Sequence, residues 1–209
     1  MNKKSDSLLI LFVKNLIPGH VKTRLAKEIG IDGALDVYQY LVEVTNEMAE
    51  DVYSDKAIFY SEYVEIEDIW DTETYMMQAQ RGIDLGERML NAFEWGFGKE
   101  YKKIVLIGTD CFDLKVTHIE EAFDELDKHD LVAGPAKDGG YYLIGLSKKM
   151  PAIFQNKKYS HDKVLNELLM EVATSDASFH LLETLLDIDT LQDLKDSSIE
   201  FEFVDPSDE

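Results

Sequence analysis

The stretch that decides the fold is Leu8-Leu-Ile-Leu-Phe-Val13, six apolar residues followed directly by Lys14-Asn-Leu-Ile-Pro-Gly-His-Val-Lys-Thr-Arg-Leu25. A short apolar run that ends before a Pro-Gly turn signal is typical of a buried strand in a parallel sheet. It is far shorter than the roughly 20 residues needed to cross a bilayer, and no small-residue cleavage site of a signal peptide follows it. We therefore interpret it as the first strand of an α/β sheet and expect no membrane insertion.

The rest of the chain continues this alternation of short apolar runs and longer segments of helical period, the pattern of strands joined by crossover helices. The predicted strands are 8–13, 56–60, 75–78, 104–107, 130–133, 141–146, 179–182 and 201–204. The predicted helices are 21–28, 33–50, 85–98, 117–128, 161–173 and 191–195. No Pro- or Gly-rich linker interrupts them, so we predict that residues 1–209 form a single α/β domain.

The composition excludes several classes of function. The 42 acidic side chains outnumber the 21 basic ones, and a net charge of −21 repels phosphate backbones, so no nucleic-acid partner is expected. Cys111 is the only cysteine, which excludes an intramolecular disulfide and fits a reducing cytoplasm; we interpret it as a small buried thiol rather than a nucleophile. The five histidines have unrelated spacings, so neither a zinc-binding pair nor a hydrolytic triad is predicted. The oligomeric state is not indicated.

A cationic island follows the first strand. Residues 7–27 contain no acidic side chain but four basic ones, in an otherwise acidic protein. A Pro-Gly turn that leads into a helix directs backbone N–H groups toward an anion, so this loop is predicted to bind the phosphates of a nucleotide. The alternative is a solvated helix surface. The candidate phosphate-binding residues are Lys14, Gly19, Lys22, Thr23 and Arg24.

Two segments supply carboxylates. Asp110 ends the apolar run Ile104-Val-Leu-Ile-Gly-Thr, and ligands collect at the carboxyl ends of parallel strands, so Asp110 is a candidate ligand of Mg²⁺. Asp113, which precedes the next helix, is assigned as its N-cap instead. In Leu186-Asp-Ile-Asp189, two carboxylates share one side of an extended segment. If this segment lies near Asp110, one of the two supplies the second metal ligand; capping of the following helix by Asp189 or Thr190 is the alternative.

The turn signal Asp138-Gly139-Gly140-Tyr141 has a plain hairpin as its simplest explanation. Glycines also let a ligand approach the backbone, in which case Asp138 and Tyr141 lie at the edge of the substrate.

A helix start lies within Gly82-Ile-Asp-Leu-Gly-Glu-Arg-Met89. Gly86, Glu87 and Arg88 are candidate contacts to a base or ribose, and an ordinary capped helix is the alternative.

These motifs occur together, in order, as Pro18-Gly-His-Val-Lys-Thr-Arg-Leu25, Asp84-Leu-Gly-Glu-Arg-Met89, Ile107-Gly-Thr-Asp-Cys111, Gly134-Pro-Ala-Lys-Asp-Gly-Gly-Tyr-Tyr-Leu-Ile-Gly145 and Asp187-Ile-Asp-Thr190. As a set they resemble a bacterial family of glycosyltransferase-A-like proteins labelled nucleotide-diphospho-sugar transferases, which is related to molybdenum-cofactor and phospholactate nucleotidyltransferases. The resemblance implies a Rossmann-like three-layer sandwich with a mostly parallel mixed sheet.

The resemblance also implies roles for four residues. Lys22 and Arg24 correspond to phosphate binders, Asp110 to the metal carboxylate and Asp189 to the second aspartate on the metal side.

The sequence departs from the family pattern at two places. Phe112 stands where members commonly have proline, and Tyr159-Ser160-His161 stands where they have Trp-Ser-Thr. The first departure alters the turn beside the metal. The second concerns the acceptor side, to which we assign Gly139, Gly140, Tyr141 and Ser160.

The expected function is Mg²⁺- or Mn²⁺-dependent glycosyl transfer from a nucleotide-sugar donor to a small acceptor, with Asp110 and Asp138 as catalytic residues. A nucleotidyltransferase that releases pyrophosphate from a nucleoside triphosphate is the first alternative. A non-catalytic protein that binds a nucleotide or a sugar phosphate is the second.

Overall fold

The described residues of this computed structural model, 5–159 and 161–199, form seven strands, five α-helices and one 3₁₀ turn. The strands are β1 (Ser7–Val13), β2 (Asp55–Tyr60), β3 (Tyr75–Ala79), β4 (Lys103–Ile107), β5 (Leu131–Pro135), β6 (Tyr141–Leu146) and β7 (Phe179–Leu181). The helices are α1 (Ala26–Glu50), α2 (Leu85–Gly98), α3 (Val116–Glu125), α4 (Val164–Thr174) and α5 (Leu191–Asp196), and the 3₁₀ turn is Pro151–Phe154.

One mixed sheet has the strand order β3-β2-β1-β4-β6-β5-β7. Only β6 is antiparallel to its neighbours β4 and β5 among these seven strands, and all other pairs are parallel. The carboxyl ends of β1, β4 and β5 therefore meet at the same edge of the sheet as the beginning of β6. This is the mostly parallel mixed sheet that the sequence predicts.

The two faces of the sheet carry separate layers of helix, because alternate residues of β1 point to opposite sides. Leu9 and Leu11 belong to a buried cluster with side chains of α1 and α3, whereas Leu8 and Ile10 pack with side chains of α2, α4 and the 3₁₀ turn. All four leucine and isoleucine side chains are fully buried. The domain is thus the expected three-layer sandwich.

The predicted elements differ from the observed ones mainly at their ends. Strand 201–204 lies outside the described residues, and the predicted helix 21–28 begins only at Ala26. It continues into the next predicted helix through Gly30, whose φ of 82° interrupts the helical geometry. None of the described helices is long and apolar enough to cross a membrane.

The predicted N-cap of α3 is wrong. Lys115, not Asp113, precedes the helix, and the Nδ1 atom of His118 accepts a hydrogen bond from the Lys115 backbone N–H at 3.0 Å. The helix begins two residues later than an N-cap at Asp113 requires, so Asp113 lies outside the cap position; its carboxylate accepts from the Ser198 hydroxyl at 3.1 Å.

Candidate active site

A pocket of about 670 Å³ opens at the sheet edge where β1 and β4 end and β6 begins. Its other walls are the start of α2, the side chains of Tyr159, His161, Asp162 and Val164, and those of Asp187 and Asp189. The carboxyl ends of parallel strands are where ligands bind in open α/β sheets.

Lys22 lies beneath the pocket floor rather than in it. Its side chain is 1% exposed and its ammonium forms an ion pair with Asp110, donates to the backbone carbonyl of Ile188 and lies 3.6 Å from Asp189 Oδ1. The φ of Lys22 is 45°, in the left-handed region that side chains with a Cβ rarely adopt. The loop therefore turns inward to place a cation under two carboxylates. The prediction that Lys22 binds phosphates directly does not describe this position, because its ammonium is already paired with Asp110 and the Ile188 carbonyl.

The exposed cations of the loop are Arg24 and Lys14, and both line the pocket. The Arg24 side chain is 59% exposed and its Nη1 lies 3.7 Å from Asp189 Oδ2. The backbone N–H of Lys14 donates to the buried hydroxyl of Tyr38 at 2.8 Å, which holds the end of β1 in place. Gly19 and Thr23 are exposed on the same loop and do not line the pocket.

Asp110 and Asp189 meet in space as predicted by their separate motifs. Both line the pocket, and the backbone N–H of Ile188 donates to the Asp110 carbonyl at 2.9 Å, which ties the two segments together. Burial alone would raise the pKa of Asp110, but the charges of Lys22 and Lys14 outweigh burial and lower that pKa. Asp110 therefore stays ionised near neutral pH.

Asp187 is the carboxylate that the sequence interpretation passed over in favour of Asp189. Its Oδ1 atom is buried and has no hydrogen-bond partner among the described residues. Burial and then the charges of Asp110 and Asp138 raise the pKa of Asp187 to about 7. The two-residue spacing to Asp189 had indicated that both carboxylates share one side, but it could not show which one lacks a protein partner.

Six aspartates line the pocket, and four of them form an interacting group, because the charges of Asp110, Asp138 and Asp189 all raise the pKa of Asp187. A buried carboxylate oxygen without a partner costs free energy unless a cation or water satisfies it. Carboxylate oxygens are the ligands that Mg²⁺ and Mn²⁺ prefer, so this donor set fits the divalent cation that the family resemblance implies.

The turn between β5 and β6 forms one wall. The Asp138 Oδ1 atom accepts from the Gly140 backbone N–H at 2.8 Å, and Asp138, Gly140 and Tyr141 line the pocket. Gly139 has a φ of 90°, and a Cβ built there would lie 2.1 Å from the carbonyl oxygen of Asp162. Gly139 is therefore required by contact with the protein backbone. Ser160, the remaining acceptor-side candidate, lies outside the described residues.

The start of α2 is an ordinary capped helix. Asp84 Oδ1 accepts from the Glu87 backbone N–H at 2.8 Å, and the Glu87 carboxylate accepts in return from the backbone ahead of the helix. A Cβ on Gly86 would lie 2.4 Å from the carbonyl oxygen of Phe154, so close helix packing explains this glycine. Of the three candidates only Arg88 lines the pocket, and nothing in the structure supports a nucleotide contact for Gly86 or Glu87.

Cys111 is a buried thiol, as expected. It is 7% exposed. Burial raises the pKa of its thiol, and the neighbouring charges of Asp187 and Asp113 raise it further. A thiol that stays protonated is a poor nucleophile, so Cys111 contributes packing beside the carboxylates.

Solved structures with the same fold include several transferases. A structure from Desulfovibrio desulfuricans G20, described as a "putative nucleotide-diphospho-sugar transferase", is 32% identical, with a TM-score of 0.82 over 91% of this chain and 85% of that chain. Two more distant structures share the fold alone. The 4-diphosphocytidyl-2C-methyl-D-erythritol synthase of Anaerococcus prevotii DSM 20548 is 11% identical, with a TM-score of 0.58 over 91% of this chain and 94% of that chain.

The second is Rv0371c of Mycobacterium tuberculosis H37Rv, solved in complex with manganese. It is 11% identical, with a TM-score of 0.51 over 92% of this chain and 97% of that chain. No curated protein matches the sequence.

A family model described as "uncharacterized protein conserved in bacteria" (DUF2064) matches residues 44–161, more than half of the chain. This range includes β4 with Asp110 and the β5–β6 turn with Asp138. Together with the 32% identity to the Desulfovibrio protein, this match assigns the family. The chain belongs to the DUF2064 family.

Proposed function

We propose that the protein transfers a glycosyl group from a nucleotide-sugar donor to a small acceptor, with Mg²⁺ or Mn²⁺ bound at the pocket carboxylates. The observation that carries the proposal is the convergence of Asp110, Asp187 and Asp189 at the carboxyl ends of the strands, with the partnerless Oδ1 of Asp187 in their midst. The 32% identity to a protein with a sugar-transferase description favours glycosyl transfer over other reactions.

The charges of the pocket explain why a cation accompanies the donor. Six aspartates line the pocket with only three lysine or arginine side chains, those of Lys14, Arg24 and Arg88, because Lys22 is buried under the floor. The phosphates of a nucleotide would be repelled by this surface, and a divalent cation held by Asp110, Asp187 and Asp189 would neutralise both partners. When bound, the cation supplies Lewis-acid stabilisation of the charge that develops on the leaving diphosphate.

Each protein group has a distinct part in this proposal. Arg24 and Lys14 hold phosphate oxygens at the rim, where the guanidinium offers a planar pair of donors. Lys22 acts through the carboxylates, because it keeps Asp110 ionised and in position. Asp138 lies across the pocket on the β5–β6 turn, where it would accept the proton of the acceptor hydroxyl as that oxygen attacks the anomeric carbon and the bond to the diphosphate breaks.

Nucleotidyl transfer is the second candidate, and the cationic loop directly after β1 favours it. The 4-diphosphocytidyl-2C-methyl-D-erythritol synthase of Anaerococcus prevotii shares the fold. In this reaction the acceptor attacks the α-phosphorus of a nucleoside triphosphate and pyrophosphate leaves, so the same carboxylates and loop cations would serve.

Product analysis separates the candidates. The protein is incubated with Mg²⁺ or Mn²⁺, a panel of nucleotide sugars or nucleoside triphosphates, and pooled small acceptors, and the products are identified by mass spectrometry. Release of a nucleoside diphosphate with a glycosylated acceptor supports glycosyl transfer, whereas release of pyrophosphate overturns it. Saturable donor binding without turnover under any metal would favour the non-catalytic alternative.

A matched pair of variants controls this experiment. Asp110→Asn removes a pocket carboxylate, and Asp113→Asn removes one three residues away that does not line the pocket. We expect Asp110→Asn to abolish the metal-dependent increase in melting temperature that donor binding gives, because bound ligand stabilises a protein in proportion to its affinity. Equal increases in both variants would refute the ligand assignment.

Arg24 offers a second test that depends on salt. Arg24→Ala should weaken donor binding more at low than at high ionic strength, because salt already screens the attraction between exposed charges. Lys27→Ala, which removes an exposed cation that does not line the pocket, is the control. A loss that is independent of salt would indicate a folding defect instead.

A further inference from the structure

A second cluster of ionisable side chains lies at the opposite end of the sheet from the pocket. Glu125 is the last residue of α3, His129 precedes β5 and His180 is the middle residue of β7. β5 runs from His129 toward the pocket turn, so this cluster is separated from the pocket by the length of that strand. One potential ligand atom from each of the three side chains lies within 4.8 Å of the other two.

Two backbone features bring the histidines together although 51 positions separate them in the sequence. The His129 backbone N–H donates to the Glu125 carbonyl at 2.9 Å, which continues the helical turn of α3, and the Ser147 hydroxyl donates to the His129 carbonyl at 3.0 Å. β7 pairs in parallel with β5, with His180 opposite Val132. The unrelated sequence spacings of the histidines gave no sign of this meeting, because it depends on the pairing of β5 with β7.

The two distances from the histidines to Glu125 suit a single small cation. His129 Nδ1 lies 3.1 Å and His180 Nδ1 lies 3.7 Å from the same oxygen, Glu125 Oε2. Two ligands bonded to one tetrahedral ion at about 2.1 Å lie about 3.4 Å apart, so only small side-chain movements are needed. The other oxygen, Glu125 Oε1, pairs with Lys128 Nζ at 2.8 Å, which leaves Oε2 for the ion.

The outer contacts resemble those that orient metal-binding histidines. His180 Nε2 lies 3.6 Å from Glu121 Oε1, one helical turn before Glu125 on α3. A carboxylate on the far nitrogen of an imidazole fixes the ring and raises its basicity as a ligand. Glu121 is thus in position to orient His180 while Nδ1 faces Glu125.

We propose that Glu125, His129 and His180 form a binding site for a divalent transition-metal ion of the Zn²⁺ class, with Glu121 as the residue that positions His180. Two imidazoles and one carboxylate favour Zn²⁺, Co²⁺, Ni²⁺ or Cu²⁺ over Mg²⁺, which prefers an all-oxygen set. The three side chains are 18–33% exposed, so an ion can enter from solvent and a water can complete its shell. The bound ion would join α3 to β5 and to the edge strand β7.

Such a link has a consequence for the chain that follows β7. His180 is separated from Asp187 by six residues, and the intervening segment crosses from the far end of the sheet to the pocket. An ion held by His180 would therefore restrain the same strand that leads into the pocket carboxylates. The site itself does not depend on the proposed transferase function, so either proposal can fail without the other.

The test is a titration of the purified full chain with Zn²⁺, followed by calorimetry and by measurement of the melting temperature. Excess Mg²⁺ is present throughout, because it occupies sites made only of carboxylates. We expect one equivalent of Zn²⁺ to bind and to raise the melting temperature. The double variant His129→Gln/His180→Gln should lose this binding, and His20→Gln, which changes an exposed histidine at the pocket end, should keep it. Unchanged Zn²⁺ binding in the double variant would overturn the proposal.

Two single variants keep the proposal falsifiable if the double variant does not fold. Glu121→Gln should weaken Zn²⁺ binding by about 10- to 100-fold, the usual effect of removing an outer-shell partner. Lys128→Met should strengthen binding, because it frees Glu125 from a competing cation. Opposite or absent effects of both variants, or no saturable Zn²⁺ binding to the unaltered chain, would refute the site.

Co²⁺ gives a spectroscopic check on the ligand set. We expect Co²⁺ to bind the unaltered chain and to give the visible absorption bands of a tetrahedral nitrogen–oxygen site. Added Zn²⁺ should displace the Co²⁺ ion and abolish these bands. A Co²⁺ spectrum that the His129→Gln/His180→Gln variant retains would place the ion elsewhere and overturn the assignment.

Discussion

The two ends of the sheet each carry a lysine paired with a carboxylate, but the pairs lie in different surroundings. At the pocket end the Lys22 side chain is 1% exposed and contacts Asp110, whereas at the far end the Lys128 side chain is 65% exposed and contacts Glu125. A buried charge depends on its partner because water cannot replace it, while an exposed pair is solvated with or without its partner. Burial therefore decides which of these two ion pairs the stability of the fold depends on.

The largest loss of stability is expected when the buried cation is removed. Lys22→Met leaves Asp110 without its counter-charge, and we expect a loss of about 3–5 kcal/mol in the free energy of unfolding. Arg24→Met removes an exposed cation from the same loop and should cost far less. Urea unfolding of both variants measures the difference.

A double variant identifies the cause of the Lys22 effect. Adding Asp110→Asn to Lys22→Met should restore part of the lost stability, because the unpaired carboxylate is then gone. Additive losses would contradict an ion-pair explanation and point to packing of the lysine stem.

The next largest loss of stability is expected at the β5–β6 turn, which forms one wall of the pocket. Gly139→Ala introduces a Cβ at a φ of 90° and 2.1 Å from the Asp162 carbonyl oxygen, so we expect a loss of at least about 2 kcal/mol. Gly98→Ala is the matched control, because a Cβ on Gly98 meets nothing within 4 Å and its φ is not positive. Thermal unfolding compares the two, and equal losses would show that the Asp162 contact yields easily.

In contrast to the substitutions above, a substitution of Asp187 is expected to increase the stability of the protein. Asp187→Asn removes a buried carboxylate that lies among other carboxylates, so we expect the metal-free protein to gain about 1 kcal/mol of stability. The same variant should lose most of the increase in melting temperature that Mg²⁺ or Mn²⁺ gives with a donor. Asp138→Asn, at a more exposed pocket carboxylate, is the control. Destabilisation by Asp187→Asn in the absence of metal would show that its carboxylate makes a contact that the fold needs.

The smallest effect is expected at the far end, where Asp130 pairs with Lys148 at 2.9 Å and accepts from the Ser178 backbone N–H at 2.8 Å. The hydrogen bond from Lys148, followed by that from Ser178, lowers the pKa of Asp130 below its unfolded value. Its ionised form therefore stabilises the fold above the unfolded pKa of about 3.9, and this contribution is lost as pH falls through the folded pKa.

Asp130→Asn should accordingly destabilise the protein by about 0.5 kcal/mol at neutral pH and by less below about pH 3. Lys128→Gln, at an exposed pair, should give no measurable change at neutral pH. Urea midpoints at the two pH values measure this effect, and a constant difference would exclude an ionic origin.

Local sequence signals were sufficient for the elements that carry their own pattern. The apolar run of β1, the capping residues of α2 and the Asp-Gly-Gly turn before β6 each follow from neighbouring residues, and the structure confirms all three. The capping alternative for Gly86 and Glu87 follows from the same local information. By contrast, the Asp113 cap was wrong, because the turn after β4 continues to Lys115 and places that residue at the N-cap of α3.

Features made by long-range contacts could not be predicted residue by residue. The burial of Lys22 requires β4 and the segment after β7 to meet over the loop, and these lie 88 and 166 positions away in the sequence, at Asp110 and Ile188. The lack of a partner at Asp187 Oδ1 and the meeting of His129 with His180 depend equally on the sheet order. Sequence spacing indicates which residues share a segment, but only the sheet order shows which segments share a site.

The buried Lys22 gives the pocket a permanent internal counter-ion. Carboxylates that would otherwise force each other apart are held together before any metal arrives, so the protein should remain folded in chelating buffers during purification. In the proposed reaction, the divalent cation would then enter with each donor molecule and depart with the products, as an exchangeable component of turnover rather than a fixed part of the architecture.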